Sequence, residues 1–533
     1  MIRQAQVSRS IRKIAILEPR APGTNFWDGI RMPRQGAVLL ATILDRLGYQ
    51  VVVHCEELAP IDWSEVISAD LVAISNMTPT APRAYAMAQV VRREGIPVVI
   101  GGHHNTFMPE EGLEYVDFVV RGEGEDTLVE LVEAIQTKGD FSKIAGLSFR
   151  ADGQKIHNEP RPLETNLDRF PIPDFSLVRG MRRNGVVSVI TRRGCPFDCS
   201  FCSVTSFNGR TVREHSVDRV LSEIDRQMYW IDQRGILFVL DDIFNLRPQR
   251  MKEILRGMID NHLTPLWCGQ VRHEAAQDRE LLDLMRQSNC IRVFVGFESV
   301  NPQSLERFNK HQTVEDIGRS IEAFRRASIK VLGMFVMGSD DDTPETLEET
   351  LRFCRRHDLD SMFINNLTPL PGSRDFSEMS ARPNKLLGVP WHFYDNYHVV
   401  QVPSKLSPAQ LQTGSNIAMA KFYSLRAVIQ RLGRGDMSDS VVRFICYLLV
   451  RKLIWETRPY VRWLRNPSGQ PPSPPITAEP EKWSAQARVT GHVRLWFRRL
   501  RLRLTTSGRI NYIMFMHFGA SFGKRRKGTA KYQ

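Results

Sequence analysis

The run Arg192-Arg193-Gly194-Cys195-Pro196-Phe197-Asp198-Cys199-Ser200-Phe201-Cys202 puts three cysteines at a C-x3-C-x2-C spacing. It lies on a loop that follows an apolar, strand-like stretch (Val186, Val187, Val189, Ile190). No other feature constrains the chain as much. Three thiolates on so short a loop can wrap three corners of a cubic four-iron cluster. The fourth iron then has no cysteine nearby and stays open for another ligand. A zinc knuckle is the competing reading, but zinc asks for a fourth Cys or His at a short offset. The nearest later histidine, His215, lies thirteen residues beyond Cys202 and fits that poorly. Three thiols without a role are the remaining alternative.

The motif resembles that of the radical SAM superfamily, and so does Phe201, since an aromatic residue usually precedes the last cysteine there. The resemblance implies a 4Fe–4S cluster held by Cys195, Cys199 and Cys202. S-adenosylmethionine (SAM) would then chelate the open iron through its amino and carboxylate groups.

Upstream, short apolar runs alternate with helical spacing. Ile14–Leu17, Val51–Val53, Leu71–Ile74, Val98–Ile100 and Val116–Val120 read as buried strands. Gln35–Leu47, Ala81–Arg93 and a segment from near Asp126 read as helices. That alternation predicts a doubly wound, Rossmann-like parallel sheet, with ligands beyond the carboxyl ends of its strands. The turns there carry Ser75-Asn76-Met77-Thr78-Pro79-Thr80, Gly101-Gly102-His103-His104-Asn105-Thr106 and Gly122-Glu123-Gly124-Glu125. Together they resemble the cobalamin-binding domain that precedes many radical SAM domains. The resemblance implies cobalamin contacts from Asn76, Thr78, Thr80, Gly101, Gly102, His103, Gly122 and Glu123. An ordinary Rossmann-like domain is the alternative, although no G-x-G-x-x-G follows the first strand. A D-x-H-x-x-G signature is also absent, so neither His103 nor His104 is expected on cobalt.

From 185 to 385 strands and helices alternate again, in the order of a partial (β/α) barrel, where chemistry collects at carboxyl ends of strands. By resemblance, Asp241 or Asp242 lies where the family contacts the methionine amine or ribose, and Glu298 where it grips the ribose hydroxyls. Gly333 to Gly338 would line the adenine side. Asn208-Gly209-Arg210 and Arg213 would serve the SAM carboxylate or the cluster edge. Each acid could instead be a strand-end cap.

The expected order is a cobalamin-binding domain at 1–150, a connector at 151–184, the barrel at 185–385 and a helical region at 386–465. A proline-rich linker at 466–482 and a basic amphipathic tail at 483–533 complete it. Residues 484–533 hold twelve Lys and Arg and no Asp or Glu, so the net charge of +13 resides almost wholly in the tail. Basic and aromatic interleaving (Trp496, Phe497, Phe515) fits an anionic membrane surface; RNA or packing on the body are the alternatives, with nucleic acid the weaker. The first twelve residues show no secretory signal, and no run is apolar enough to span a bilayer. The five other cysteines form no paired framework. A cytoplasmic enzyme, peripheral on the inner membrane, is the expected setting.

The resemblance implies that SAM is cleaved to methionine and a 5′-deoxyadenosyl radical, with a flavodoxin or ferredoxin as electron donor. With cobalamin across the barrel mouth, the product would be a C-methylated apolar molecule such as a hopanoid, another isoprenoid lipid or a tetrapyrrole. The anaerobic magnesium-protoporphyrin ester cyclase resembles the chain equally and closes a ring without methyl transfer. A non-catalytic scaffold is opposed by the intact cysteines and Glu298. A tRNA methylthiolating enzyme is excluded, because it needs three further N-terminal cysteines and only Cys55 precedes residue 190.

Overall fold

The computed structural model describes residues 10–23, 32–181, 185–231, 235–474 and 476. The basic tail and its expected membrane contact lie outside the described residues, as does the linker from 477 onward.

The first sheet is built from β1 (Lys13–Glu18), β2 (Gln50–Cys55), β3 (Leu71–Ser75), β4 (Val98–Gly101), β5 (Phe118–Val120), β6 (Leu147–Ala151) and β7 (Gln154–His157). Its order is β2-β1-β3-β4-β5-β6-β7. The first five are parallel, and β6 and β7 add an antiparallel hairpin at the edge. Apolar clusters on both faces bury the strands, as a doubly wound sheet requires. The helix Gln35–Arg46 buries Ala37, Val38, Ala41 and Leu44, one stripe at helical spacing. β7 falls within the stretch read as a connector. Four residues beyond a tight turn are too few for a period of two to show.

The second sheet contains β8 (Val186–Val189), β11 (Ile236–Val239), β12 (Trp267–Val271), β13 (Cys290–Glu298), β14 (Lys330–Met337) and β15 (Ser361–Asn366). All pair in parallel with their sequence neighbours, leaving β8 and β15 as edges of a six-stranded partial barrel. Between β8 and β11, the two-residue strands β9 (Arg192–Arg193) and β10 (Arg213–Glu214) form a small antiparallel ribbon.

Alternation along the barrel strands separates two faces. Val187, Val189, Leu237, Val239, Trp267, Val293, Val295, Val331 and Phe335 pack outward in the main core. Val186, Ile236, Phe238 and Cys268 form a separate inner cluster with Leu240 and Phe294. Farther along that inner face, Gln270, Phe294, Gly296, Leu332, Met334 and Asn365 are only half-buried. The barrel is therefore an open chamber on one side and a packed core on the other.

The C-terminal region is helical, as expected, and is built from four helices. They are Pro408–Phe422, Leu425–Gly433, Met437–Glu456 and Arg458–Arg465. Ser424 starts the second by accepting from the Ala427 amide, and Pro459 in the first turn starts the last.

Candidate cluster and cofactor site at the domain seam

The cysteine loop is an excursion closed at its base by β9 and β10. Gly194 enters it at a φ of +92°, where a Cβ would lie 2.5 Å from the Thr211 carbonyl oxygen. Only glycine suits that position. The Cys195 amide donates to the Gly209 carbonyl at 3.3 Å and the Cys202 amide to that of Cys199 at 3.1 Å. The far side is held by Asn309 and Arg374, both donating to the Asp198 carbonyl, and by the Asp375 amide donating to that of Ser200. None of the three cysteines forms a disulfide, and each is partly accessible. Burial pushes all three thiols up, Cys202 to about 12; Cys195 and Cys202 also feel the charge of Cys199, while Cys199 itself faces Lys310 and Glu298. Among the described residues no three His, Cys, Asp or Glu side chains converge on a single ion. A cubane asks for thiolates spread over separate irons, which suits this loop better than one zinc would.

Around the thiols stand Asp242, Glu298, Lys310 and Arg272. Asp242 lies within electrostatic reach of Cys195 and Cys202. Although Asp242 is exposed, partial desolvation by the protein packed around its carboxyl and the neighbouring charge of Asp241 push it up to about 6. Glu298 ends β13 at a φ of +60°, next to a register shift. A non-glycine residue in that region stores strain, which is common at functional positions. Its Oε1 accepts from Lys310 Nζ at 2.7 Å, with both side chains nearly buried. Burial opposes the Lys310 charge, but Glu298 and the Cys199 thiol outweigh it and hold the ammonium above its ordinary range. Arg272 stacks over the Phe197 ring at 4.1 Å and pairs with Glu274. Lys310 and Arg272 carry no sequence motif; only the fold brings them to Cys199.

Other expected contacts are used elsewhere. Asp241 is 1% exposed; its carboxylate accepts from the Thr191 amide and hydroxyl and faces the Arg192 guanidinium. It caps the end of β8. Arg213 is engaged at the domain seam. Its guanidinium donates to both Glu123 oxygens and to the Asn208 and Glu164 carbonyls. Glu123 also receives Arg193 at 3.0 Å, so it is a seam residue rather than a free cobalamin contact. Burial would raise its carboxyl, yet Arg213 and Arg193 hold it below the usual range. Arg193 on β9 and the buried Arg213 on β10 take their carboxylate partners, Glu123 and Glu125, from the N-terminal domain. Phe201 packs edge-on to Phe308 beside Val336 and Leu367. Gly338, at a φ of +108°, donates to Asp342 and accepts from Gln401, closing the end of β14.

In the N-terminal loops, Gly102 has a φ of +105°, and a Cβ there would lie 2.3 Å from the Asn76 carbonyl oxygen. Gly101 lies close to the Val120 carbonyl. Thr80 is spent on the Met77 backbone. The Thr78 hydroxyl faces His104 Nδ1 at 3.3 Å; His104 is fully buried, with its other nitrogen 3.6 Å from Glu111. His103 stacks on Phe207, five residues past the last cysteine, with centroids 3.9 Å apart. Burial pushes that ring down to about 4, so it is neutral at pH 7. Gly122, at a φ of +73°, leaves open space where a side chain would project. Asn76 is 1% exposed, and neither atom of its amide has a partner among the described residues.

The carboxyl-end loops of the two sheets therefore meet. His103 lies against Phe207, Phe107 contacts Gly372 beyond β15, and Glu123 pairs with Arg193 and Arg213. Trp391 closes the seam from the C-terminal region by donating to Glu111.

The description "Radical SAM superfamily" matches residues 189–354, and "B12 binding domain" matches residues 29–132. An uncharacterized methyltransferase of Pyrococcus horikoshii is 32% identical over 69% of this chain and 82% of its own length. The chain belongs to the cobalamin-dependent radical SAM enzymes. A bacteriochlorophyllide d C-12(1)-methyltransferase of Chlorobaculum tepidum is 26% identical over 84% of this chain and 96% of its own. The anaerobic magnesium-protoporphyrin IX monomethyl ester cyclase of Rubrivivax gelatinosus is 29% identical over 66% and 67%. The fold is that of the methyltransferase TsrM from Kitasatospora setae, solved with cobalamin and a 4Fe–4S cluster (TM-score 0.59, 20% identity, 69% of this chain and 78% of that one).

The cofactors of this family are a 4Fe–4S cluster, SAM and cobalamin, and the residues present fit them. The thiols of Cys195, Cys199 and Cys202 lie within electrostatic reach of Asp242, Lys310 and Glu298. Asn76 supplies an orphaned buried amide at the carboxyl edge of the first sheet. A group that leaves such an amide unpaired costs stability unless something satisfies it.

Proposed function

We propose that this enzyme C-methylates an unactivated carbon of an apolar substrate (a lipid, an isoprenoid or a tetrapyrrole) held against the open inner face of the barrel. The observation that carries the reading is the half-buried lining of that face: Phe294, Leu332 and Met334 with the amides of Gln270 and Asn365. A mostly apolar chamber with a few polar groups suits an apolar ligand fixed in orientation. The bacteriochlorophyllide-methylating relative supports the same class.

When bound, the cluster supplies the electron for SAM cleavage and cobalamin the methyl group. The chain's own contribution is position and dryness. Cys195, Cys199 and Cys202 would hold the cluster, on a loop fixed at both ends. Glu298, neutralised on one oxygen by Lys310, keeps its other oxygen for a polar group of SAM. Asp242 offers a carboxylate to a cationic one. The stacked His103–Phe207 pair and the Phe107–Gly372 contact close the seam, so a radical formed in the chamber is shielded from water. A flavodoxin or ferredoxin is the electron donor class we propose.

Anaerobic reconstitution with SAM, methylcobalamin and a lipid and pigment extract tests this. The expected outcome is a product heavier by one methylene unit. A product of changed oxidation state without that gain would assign the cyclase reaction, which the Rubrivivax relative makes the second reading.

A further inference from the structure

The described residues expose twelve large apolar side chains, and six of them (Leu425, Ile429, Leu432, Met437, Leu448 and Trp455) fall within thirty-one residues. Scattered singly, such residues mean little; gathered on one helical pair, they mark a contact surface. On the helix Leu425–Gly433, the spacing of Leu425, Ile429 and Leu432 makes one stripe, while Arg431 points inward to Asp358 and Asp439. On the helix Met437–Glu456, Met437, Leu448 and Trp455 share a second stripe with the partly exposed Val441. The opposite face of that helix, with Asp439, Val442, Arg443, Cys446 and Val450, is buried in the body. Both stripes therefore point away from the protein.

Their surroundings are basic. Residues 425–465 hold nine Lys and Arg against three Asp and Glu, so this short region is strongly cationic before the tail is reached. Arg426, Arg451, Arg458, Arg462 and Arg465 are exposed, and none has an acidic partner among the described residues. Arg451 lies over the Tyr447 ring, 5.4 Å from its centroid.

We infer that the paired helices Leu425–Gly433 and Met437–Glu456 are a docking face for an anionic lipid surface. Apolar stripes with unpaired arginines beside them complement a bilayer whose headgroups are negative and whose interior is apolar. The tail at 484–533 is a poor occupant, since its twelve Lys and Arg, with no acidic residue to offset them, would be repelled by the same arginines. The inference extends the reading of an apolar substrate, but it is tested by binding alone, so either can fail without the other.

The test is sedimentation of the full chain with vesicles of phosphatidylcholine, with and without roughly one third phosphatidylglycerol. Selective pelleting with the anionic vesicles is expected. The triple variant Leu425→Ser, Ile429→Ser, Leu432→Ser should lower partitioning at least tenfold. Arg426→Gln should cost about five-fold, as a cation near an anionic surface does. These side chains are exposed, so iron content and SAM cleavage should stay unchanged. Retained pelleting by the triple variant, with loss on removal of residues 477–533, would assign binding to the tail and overturn the proposal. Dimerisation in solution that Ile429→Asp abolishes would make the face a contact between copies and overturn it too. Equal pelleting with neutral vesicles would remove the role of the arginines.

Discussion

The cysteine loop and the N-terminal ligand loops occupy equivalent places, each at the carboxyl end of a parallel sheet, yet they are built from different material. Around Cys195, Cys199 and Cys202 the site is made of side chains with chemistry of their own: thiols, Asp242, Glu298 and Lys310. Around Asn76 and Gly102 it is made of backbone, with peptide groups so close that a single methyl would collide. A metal cluster must be bonded, so its site is specified by atom type. A large planar cofactor must be accommodated, so its site is specified by shape. The two loops should therefore fail differently when altered.

The largest effect belongs to the bonded site. Cys199→Ala should abolish cluster incorporation and SAM cleavage together, read as iron and sulfide per chain and as 5′-deoxyadenosine formed. Cys268→Ala or Cys354→Ala should leave both near the parent level, since those thiols are fully buried away from that loop. Iron content unaffected by Cys199→Ala would break the comparison at its root.

Next comes shape. Gly102→Val combines an unfavourable φ with a clash against the Asn76 carbonyl, costing about 3 kcal/mol. Cobalamin retention on gel filtration should be lost and the melting temperature should fall. Asn76→Ala separates architecture from binding. An amide buried without a partner destabilises the protein alone, so its removal should leave the unliganded melting temperature level or raised. Cobalamin affinity should fall about tenfold. A drop in stability with unchanged affinity would make Asn76 a structural residue.

How much was legible in the sequence follows the same division. The cysteines stand out because only a few residue types can bond iron and their spacing is local. The strands and first helices stand out because apolar runs and stripes repeat over short distances. Asp241 and Asp242 are adjacent just past the end of β11, yet one is buried as a cap on Thr191 and the other stays exposed near Cys195 and Cys202. Glu123 and Arg213 each fit a ligand motif, but they meet across ninety residues of chain and satisfy each other. Lys310 was illegible for the same reason, since its partner Glu298 lies across the helix Pro302–Arg307 rather than in a motif. Close approach of backbones at Gly102 leaves no mark beyond the glycine itself.

A smaller effect tests whether the bonded site depends on its neighbours' charges. Lys310→Met leaves Glu298 buried without a counter-ion, which costs about 3 kcal/mol. SAM affinity should weaken while iron content is retained, and Lys310→Arg should recover part of it. Loss of iron along with SAM binding would mean that Lys310 supports the cysteine loop itself.

The smallest effect lies at the seam that holds the two regions together. Glu223 of the barrel accepts from Gln35 of the N-terminal domain at 2.6 Å and from Arg219 at 2.7 Å. Burial dominates its titration; although Arg219 and Gln35 oppose that, and Asp241 adds to it, the carboxyl is pushed up to about 7. The folded protein thus binds a proton that the unfolded chain releases near pH 4.5. Stability from this group is present at low pH and is lost as pH rises toward 7, by about 3 kcal/mol in all. Glu223→Gln keeps the shape and removes the titration. Denaturant unfolding at pH 5 and pH 8 should show the parent losing stability between the two and the variant losing less. The difference should also appear as easier parting of the domains, read as proteolysis near residues 151–184. Parallel curves for parent and variant would mean that Arg219 keeps Glu223 ionised throughout, making the seam a fixed ion pair like that of Glu123 with Arg213.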